Sequence, residues 1–126
     1  MNQPKRLTRL IPKANILLGD KGRFFATMQQ AFKLISGKKR FEDIQEDALD
    51  LFHLAKDAYK GVYKGLSKKN LLMIVAGILY LVNPLDLVPD FILGLGFLDD
   101  LGILTFVIGK LANEIELYRS WLKGGL

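Results

Sequence analysis

The 126-residue chain has no cysteine and a single histidine, His53. Without cysteine there is no disulfide framework, no thiolate nucleophile and no zinc site of the cysteine type. One histidine also excludes a histidine-rich metal cluster. A glycine-rich phosphate loop, a serine nucleophile elbow and an HExxH motif are likewise absent from the sequence. The sequence therefore predicts no reaction, and we expect a non-enzymatic protein without a resident cofactor.

Acidic residues are scarce in the first half of the chain and basic residues in the second. Residues 1–69 carry 15 Lys and Arg against 7 Asp and Glu, a balance of +8, whereas residues 70–126 carry 3 against 6, a balance of −3. This asymmetry predicts a surface that faces anionic lipid or nucleic acid. Aromatic residues do not interleave the basic ones, so a membrane or anionic lipid surface is the expected partner. Nucleic-acid binding by the basic half is the weakest alternative.

Hydrophobic spacing predicts an all-α fold, and no stretch alternates with the period of two typical of strands. We expect a basic N-terminal arm over residues 1–20, where Pro4 and Pro12 predict little fixed structure. Residues 21–126 are expected to form a single helical domain, a small bundle of four to five helices.

Apolar residues recur at three- and four-residue steps in three segments, which predicts helices over about 21–36, 41–66 and 99–123. Residues 71–82 carry no charge and are too uniformly apolar to be amphipathic. Together with the last helix, they predict an apolar helical hairpin over about residues 71–122 in the C-terminal half.

The chain lacks a hydrophobic run that is clearly able to cross a bilayer. Residues 71–82 would reach about 18 Å as a helix, against about 30 Å of hydrocarbon. Residues 91–109 are long enough, but two central aspartates cost about 5–7 kcal/mol against about 4–7 kcal/mol gained from apolar residues. Three interpretations stay open: a re-entrant or interfacial hairpin, two short spans that insert as a pair, and the buried core of a soluble bundle.

Four aspartates stand in the most hydrophobic part of the chain: Asp86, Asp90, Asp99 and Asp100. An ionised group in such surroundings is costly unless it is capped, paired or bound. Asp86 follows Asn83 and Pro84 as the third residue of a helix start, and Asp99 or Asp100 opens the last helix, where negative charge is favoured. Under this interpretation, the aspartates hold the geometry of a helical turn.

Two alternatives for the aspartates stay open. Asp86 and Asp90 are four residues apart, and the hairpin could bring Asp99 and Asp100 back to them as ligands for Mg²⁺, Mn²⁺ or Ca²⁺, which prefer oxygen. The chain would then be a soluble divalent-metal-binding protein or enzyme that uses these four residues. Alternatively, Lys68 or Lys69 folds over Asp90 and neutralises it.

The segment from Tyr80 to Asp100 resembles the core of the YkvA-like family, known as domain of unknown function 1232. The family-like core covers about residues 70–110 of the predicted helical domain. The positions that carry the resemblance, together with Gly94, form the predicted structural motif: Asn83, Pro84, Asp86, Pro89, Asp90, Gly94, Gly96, Asp99 and Asp100. Asn83 stands where the family often has serine, and it keeps the capping function. The resemblance implies a small, mostly bacterial helical protein, commonly described as membrane-associated, with no established biochemical activity.

These observations lead to one functional hypothesis. We expect an uncharacterised helical, membrane-associated protein with a structural or interaction role. It would lie at the inner (plasma) membrane or its cytoplasmic face, with the basic half in the cytoplasm by the positive-inside rule. A homo-oligomer or a protein partner is left open by the sequence.

Overall fold

The computed structural model describes residues 5–82 and 100–124, and within these residues it is all-α, as predicted. The described elements are α1 (Lys5–Leu18), α2 (Lys21–Ile35), a 3-10 turn (Lys39–Phe41), α3 (Gln45–Tyr59), α4 (Lys68–Val82), α5 (Asp100–Lys110) and α6 (Ala112–Leu122). The helix predicted over residues 21–36 is confirmed as α2. The described helices slightly exceed the predicted four to five because α1 is an extra helix and the last helix is divided.

The predicted loose structure of residues 1–20 is wrong for residues 5–18, which form α1. Its apolar residues recur every three or four positions and are buried against α4 and α2: Leu7, Leu10, Ala14 and Leu17. Pro12 lies on the opposite, exposed side of the helix. A proline inside a helix costs about 3 kcal/mol, but each buried leucine contributes about 1.5–3 kcal/mol. Three buried leucines therefore outweigh the proline.

The helix predicted over residues 41–66 is shorter, because α3 ends at Tyr59. Gly61 has a φ of 78°, in the left-handed region that favours glycine. Its N–H donates to the Ala58 carbonyl at 3.1 Å, and the Val62 N–H donates to the Asp57 carbonyl at 3.0 Å. This pair of hydrogen bonds is the Schellman arrangement that ends helices.

The helix predicted over residues 99–123 is divided at Leu111 into α5 and α6. Leu111 has φ −107° and ψ 19°, outside the α-helical region, although its N–H still donates to the Val107 carbonyl at 2.9 Å. Gly109 stands two residues before the break, and glycine weakens a helix. The break lets the two helices pack against different neighbours: α5 packs on α4, and α6 packs on α3.

The central helix of the bundle is α4, which packs against α1, α2, α3 and α5. Six consecutive residues, 73–78, are buried, so the helix is covered around its whole circumference. The uncharged run 71–82 is therefore explained by burial within protein, which favours the bundle-core interpretation for this segment. In the two described ranges, no helix combines the length and apolar character needed to span a bilayer.

The two arms of the predicted apolar hairpin, α4 and α5, lie in contact. Gly77 of α4 faces α5, and a Cβ placed on it would lie 3.4 Å from Val107 Cγ2 and 4.0 Å from Ile103 Cγ2. Both distances are ordinary van der Waals contacts, so the interface has room for a Cβ at this position. The turn predicted to join the arms falls in residues 83–99, outside the described residues.

Candidate membrane-facing surface

The predicted structural motif from Asn83 to Asp100, which we call the aspartate motif, lies almost wholly outside the described residues. All of its members but one fall in residues 83–99. The exception, Asp100, is the first residue of α5. In the part of the chain that the structure describes, no group of three or more His, Asp and Glu could hold a metal ion. The four-aspartate metal site stays a prediction.

The outer side of α1 carries three cations, Lys5, Arg9 and Lys13, which we call the basic face. They stand at four-residue steps, so they lie on one side of the helix. This side is opposite the stripe that packs on α4, and all three residues are exposed. Ile16 lies on the same side with 71 % of its surface exposed. The helix therefore presents positive charge and one bare aliphatic side chain to its surroundings.

No carboxylate within α1 neutralises this charge, because the first acidic residue of the chain is Asp20. Asp20 is the N-cap of α2, where its carboxylate accepts a hydrogen bond from the Arg23 N–H at 3.1 Å. The nearest acid in sequence is thus used to begin the next helix.

Beside α1, the start of α4 adds two more exposed cations, Lys68 and Lys69. Ser67 caps this helix: its hydroxyl accepts from the Asn70 N–H at 3.2 Å, and its carbonyl accepts from the Leu71 N–H at 2.9 Å. The cations line a groove of about 360 Å³ together with two aliphatic residues, Ile11 and Leu72.

Three acidic residues of α3 and α6 are held by one cation, Arg119. Its Nη2 donates to Asp47 Oδ1 at 2.7 Å, its Nε to Asp50 Oδ2 at 2.7 Å, and its Nη1 to Glu116 Oε2 at 2.6 Å. The hydrogen bonds to Asp47 and Asp50 raise the pKa of Arg119 above its ordinary value. Because both aspartates belong to α3, this cluster fastens α6 to α3.

A second polar contact joins the same helices, since the Tyr118 hydroxyl donates to Asp57 Oδ2 at 2.5 Å. The Tyr118 ring also packs against Tyr63 and Trp121, with centroids 5.2 Å and 5.9 Å away. Burial and the hydrogen bond to Asp57 raise the pKa of Tyr118 above its ordinary value. Burial likewise raises the pKa of Tyr63, and the charge of Glu114 adds to that effect.

Two of these features, the burial of α1 and the partners of Arg119, were not predicted from the sequence. The buried stripe of α1 was visible as a three- and four-residue spacing, but Pro12 favoured the interpretation as a loose arm. The partners of Arg119 carried no such signal, because Asp50 and Asp47 lie 69 and 72 residues away. The basic face itself follows from the charge asymmetry, once α1 is known to be a helix.

Comparison with known proteins extends the resemblance beyond the motif. Residues 70–106 match the model of a family described as "Protein of unknown function (DUF1232)". The chain is also 36% identical over 89 residues to the uncharacterized membrane protein YkvA of Bacillus subtilis (strain 168), covering 71% of this chain and 84% of that protein. Only 57 residues follow residue 69, so this alignment reaches well into the basic half.

No solved structure matches the chain. The match covers most of the relative's length, and the family match falls on α4, α5 and the motif between them. The chain therefore belongs to the YkvA-like family of proteins of unknown function, DUF1232.

Proposed function

We propose that the chain is a non-enzymatic, membrane-associated protein whose folded bundle lies on an anionic leaflet through the basic face of α1. The observation that carries this proposal is the exposed row of Lys5, Arg9 and Lys13 on a helix without an acidic residue. The description of a relative as a membrane protein supports membrane association.

The basic face can act without unfolding of the bundle. Leu7 and Leu10 hold α1 on the central helix, so the cations point outward from a fixed support. Each Lys or Arg near an anionic leaflet contributes about 1 kcal/mol, and this attraction falls off within a Debye length. Three cations therefore contribute about 3 kcal/mol, and Ile16 adds apolar contact with the headgroup region.

The cytoplasmic leaflet is the expected surface. It carries the anionic lipids, which attract basic segments close to its surface. The role that we propose is structural or interaction-based, with the aspartate motif of residues 83–100 holding the turn between α4 and α5. A homo-oligomer or a protein partner recruited at the membrane fits this role.

Vesicle flotation tests the proposal. Wild-type protein should float with vesicles that contain phosphatidylglycerol and not with pure phosphatidylcholine vesicles. Removal of the three cations by Lys5→Gln, Arg9→Gln and Lys13→Gln should weaken binding about 100-fold, since about 1.4 kcal/mol corresponds to a factor of ten.

The matched control removes the same charge from other surfaces by Lys38→Gln, Lys39→Gln and Lys123→Gln. These three lysines are exposed and lie outside α1, so their loss should weaken binding much less. Equal weakening in the two triple variants would show that net charge alone attracts the protein. Equal flotation with both kinds of vesicle would contradict the proposal altogether.

A further inference from the structure

The groove between α1 and α4 is lined by two aliphatic residues and two lysines. Ile11 comes from α1, whereas Lys68, Lys69 and Leu72 come from the first turns of α4. Ile11 and Leu72 are both half-buried, so each offers part of its aliphatic surface to the groove. The lysines contribute aliphatic stems and place their ammonium groups at the rim.

The two lysines are available for an external anion. Both are exposed, and neither forms an ion pair within the described part of the chain. Both lysines line the groove and carry positive charge. The charge of the groove therefore complements a phosphate.

The size and lining of the groove narrow the choice of anion. At about 360 Å³ it falls at the lower end of the range of roughly 300–1,000 Å³ found for small-molecule sites. A free phosphate would use only the lysines and would leave the aliphatic wall exposed to water. A molecule with a phosphate and an adjoining hydrocarbon chain satisfies both walls.

We infer that this groove binds one anionic phospholipid, with its phosphate between Lys68 and Lys69 and the start of an acyl chain against Ile11 and Leu72. The inference rests on the proposed function, which brings the chain to a bilayer containing such lipids. It goes further, because it assigns a single-lipid site that is separate from the basic face of α1.

The test uses lipid that is not part of a bilayer. Dihexanoyl phosphatidylglycerol, kept below its micelle concentration, is titrated into the full chain, and binding is followed by amide chemical shifts. Dihexanoyl phosphatidylcholine and glycerol phosphate are the comparison probes. The anionic lipid should bind, with the largest shifts in α1 near Ile11 and at the start of α4, and both comparison probes should bind at least roughly tenfold more weakly.

Two variants locate the site. Lys68→Gln with Lys69→Gln should weaken the anionic lipid roughly tenfold or more, whereas the matched pair Lys38→Gln with Lys39→Gln should leave its affinity unchanged. Ile11→Trp fills the groove without a change in charge and should also abolish binding. Thermal melting by circular dichroism checks that each variant is folded. If the lysine double variant destabilises α4, the Ile11→Trp variant alone tests whether the lipid binds in the groove.

Several results would overturn the inference. If glycerol phosphate binds as tightly as the lipid, the groove recognises phosphate alone. If both lysine pairs weaken lipid binding equally, the lipid is attracted by the overall positive charge of the protein and not by the groove. Binding that appears only after Asp90→Asn would show that the chain's own carboxylate neutralises the lysines.

The basic-face variant separates this inference from the proposed function. Lys5→Gln, Arg9→Gln and Lys13→Gln should keep the affinity for monomeric lipid while losing vesicle flotation. Loss of monomeric-lipid binding alone would remove the groove and leave the proposed function standing. If the wild-type protein binds monomeric lipid but does not float with vesicles, the proposed function falls and the lipid site in the groove stands.

Discussion

Replacement of Arg119 by methionine should lower the free energy of unfolding by about 2 kcal/mol. The guanidinium is the one group that joins α6 to Asp47 and Asp50 of α3 and to Glu116 of its own helix. Methionine keeps most of the aliphatic stem, so the substitution removes the charged hydrogen bonds and little packing.

The magnitude follows from the exposure of the partners. The Arg119 side chain is 24% exposed, against 29% for Asp50, 46% for Asp47 and 68% for Glu116. The Asp50 bond is the best shielded and contributes about 1 kcal/mol, as a hydrogen bond between charged groups that is partly screened. The Asp47 pair contributes roughly 0.5 kcal/mol, and the exposed Glu116 pair roughly 0.3 kcal/mol.

Urea unfolding gives the cleanest assay, because urea adds no ionic strength. The single tryptophan, Trp121, lies against Tyr118 in α6 and reports on this helix by fluorescence. In a separate thermal melt, Arg119→Met should lower the melting temperature by about 8 °C, at about 4 °C per kcal/mol for a chain of this size. Arg119→Lys should recover less than half of the loss, since lysine lacks the fork that binds several carboxylates.

Lys123→Met, at an exposed cation four residues further along, is the control and should change stability by less than about 0.5 kcal/mol. The loss caused by Arg119→Met should shrink in about 1 M NaCl, where the Debye length is about 3 Å. A loss below about 0.5 kcal/mol for Arg119→Met, or one that does not respond to salt, would refute the electrostatic account of this cluster.

Three further predictions test other parts of the fold. Because the pKa of Tyr118 is raised above 10.0 in the folded protein, the free energy of unfolding should fall as pH rises above about 10, and Tyr118→Phe should make that fall shallower in urea titrations. Leu10→Ala should cost about 2–4 kcal/mol, and Ile16→Ala less than about 0.5 kcal/mol, because only Leu10 is buried; equal thermal shifts would contradict the docking of α1. Gly77→Ala should raise the melting temperature, since the added Cβ makes an ordinary contact at 3.4 Å and alanine favours a helix by about 0.5–1 kcal/mol; a lower melting temperature would show that α4 and α5 cannot accommodate it.

The parts of the fold that could be predicted from the sequence are those with local signals. The spacing in residues 21–36 sufficed for α2, and the uncharged run 71–82 marked the central helix. The end of α3 was missed because Val62 continues the apolar spacing, yet Val62 is 53% exposed in the structure. Gly61 carried the stronger signal, since its left-handed conformation ends the helix.

The candidate site shows the same division between local and long-range information. Charge asymmetry was sufficient to predict a basic surface, but its placement required knowing that residues 5–18 are helical. The groove depends on Ile11 and Leu72 coming together from helices far apart in the chain, and no sequence pattern encodes that contact. The clustering of the four aspartates lies outside the described residues and stays a prediction.

The proposal that α1 rests on the bilayer with its basic face is tested most directly by site-specific labelling. Because the chain has no cysteine, Ile16→Cys places a single environment-sensitive fluorophore on the basic face, and Leu117→Cys places one on α6, which packs on α3 and α5. With phosphatidylglycerol vesicles, the fluorophore at residue 16 should shift to the blue and become protected from an aqueous quencher, while that at residue 117 should not change. A shift at residue 117 without one at residue 16 would contradict the account.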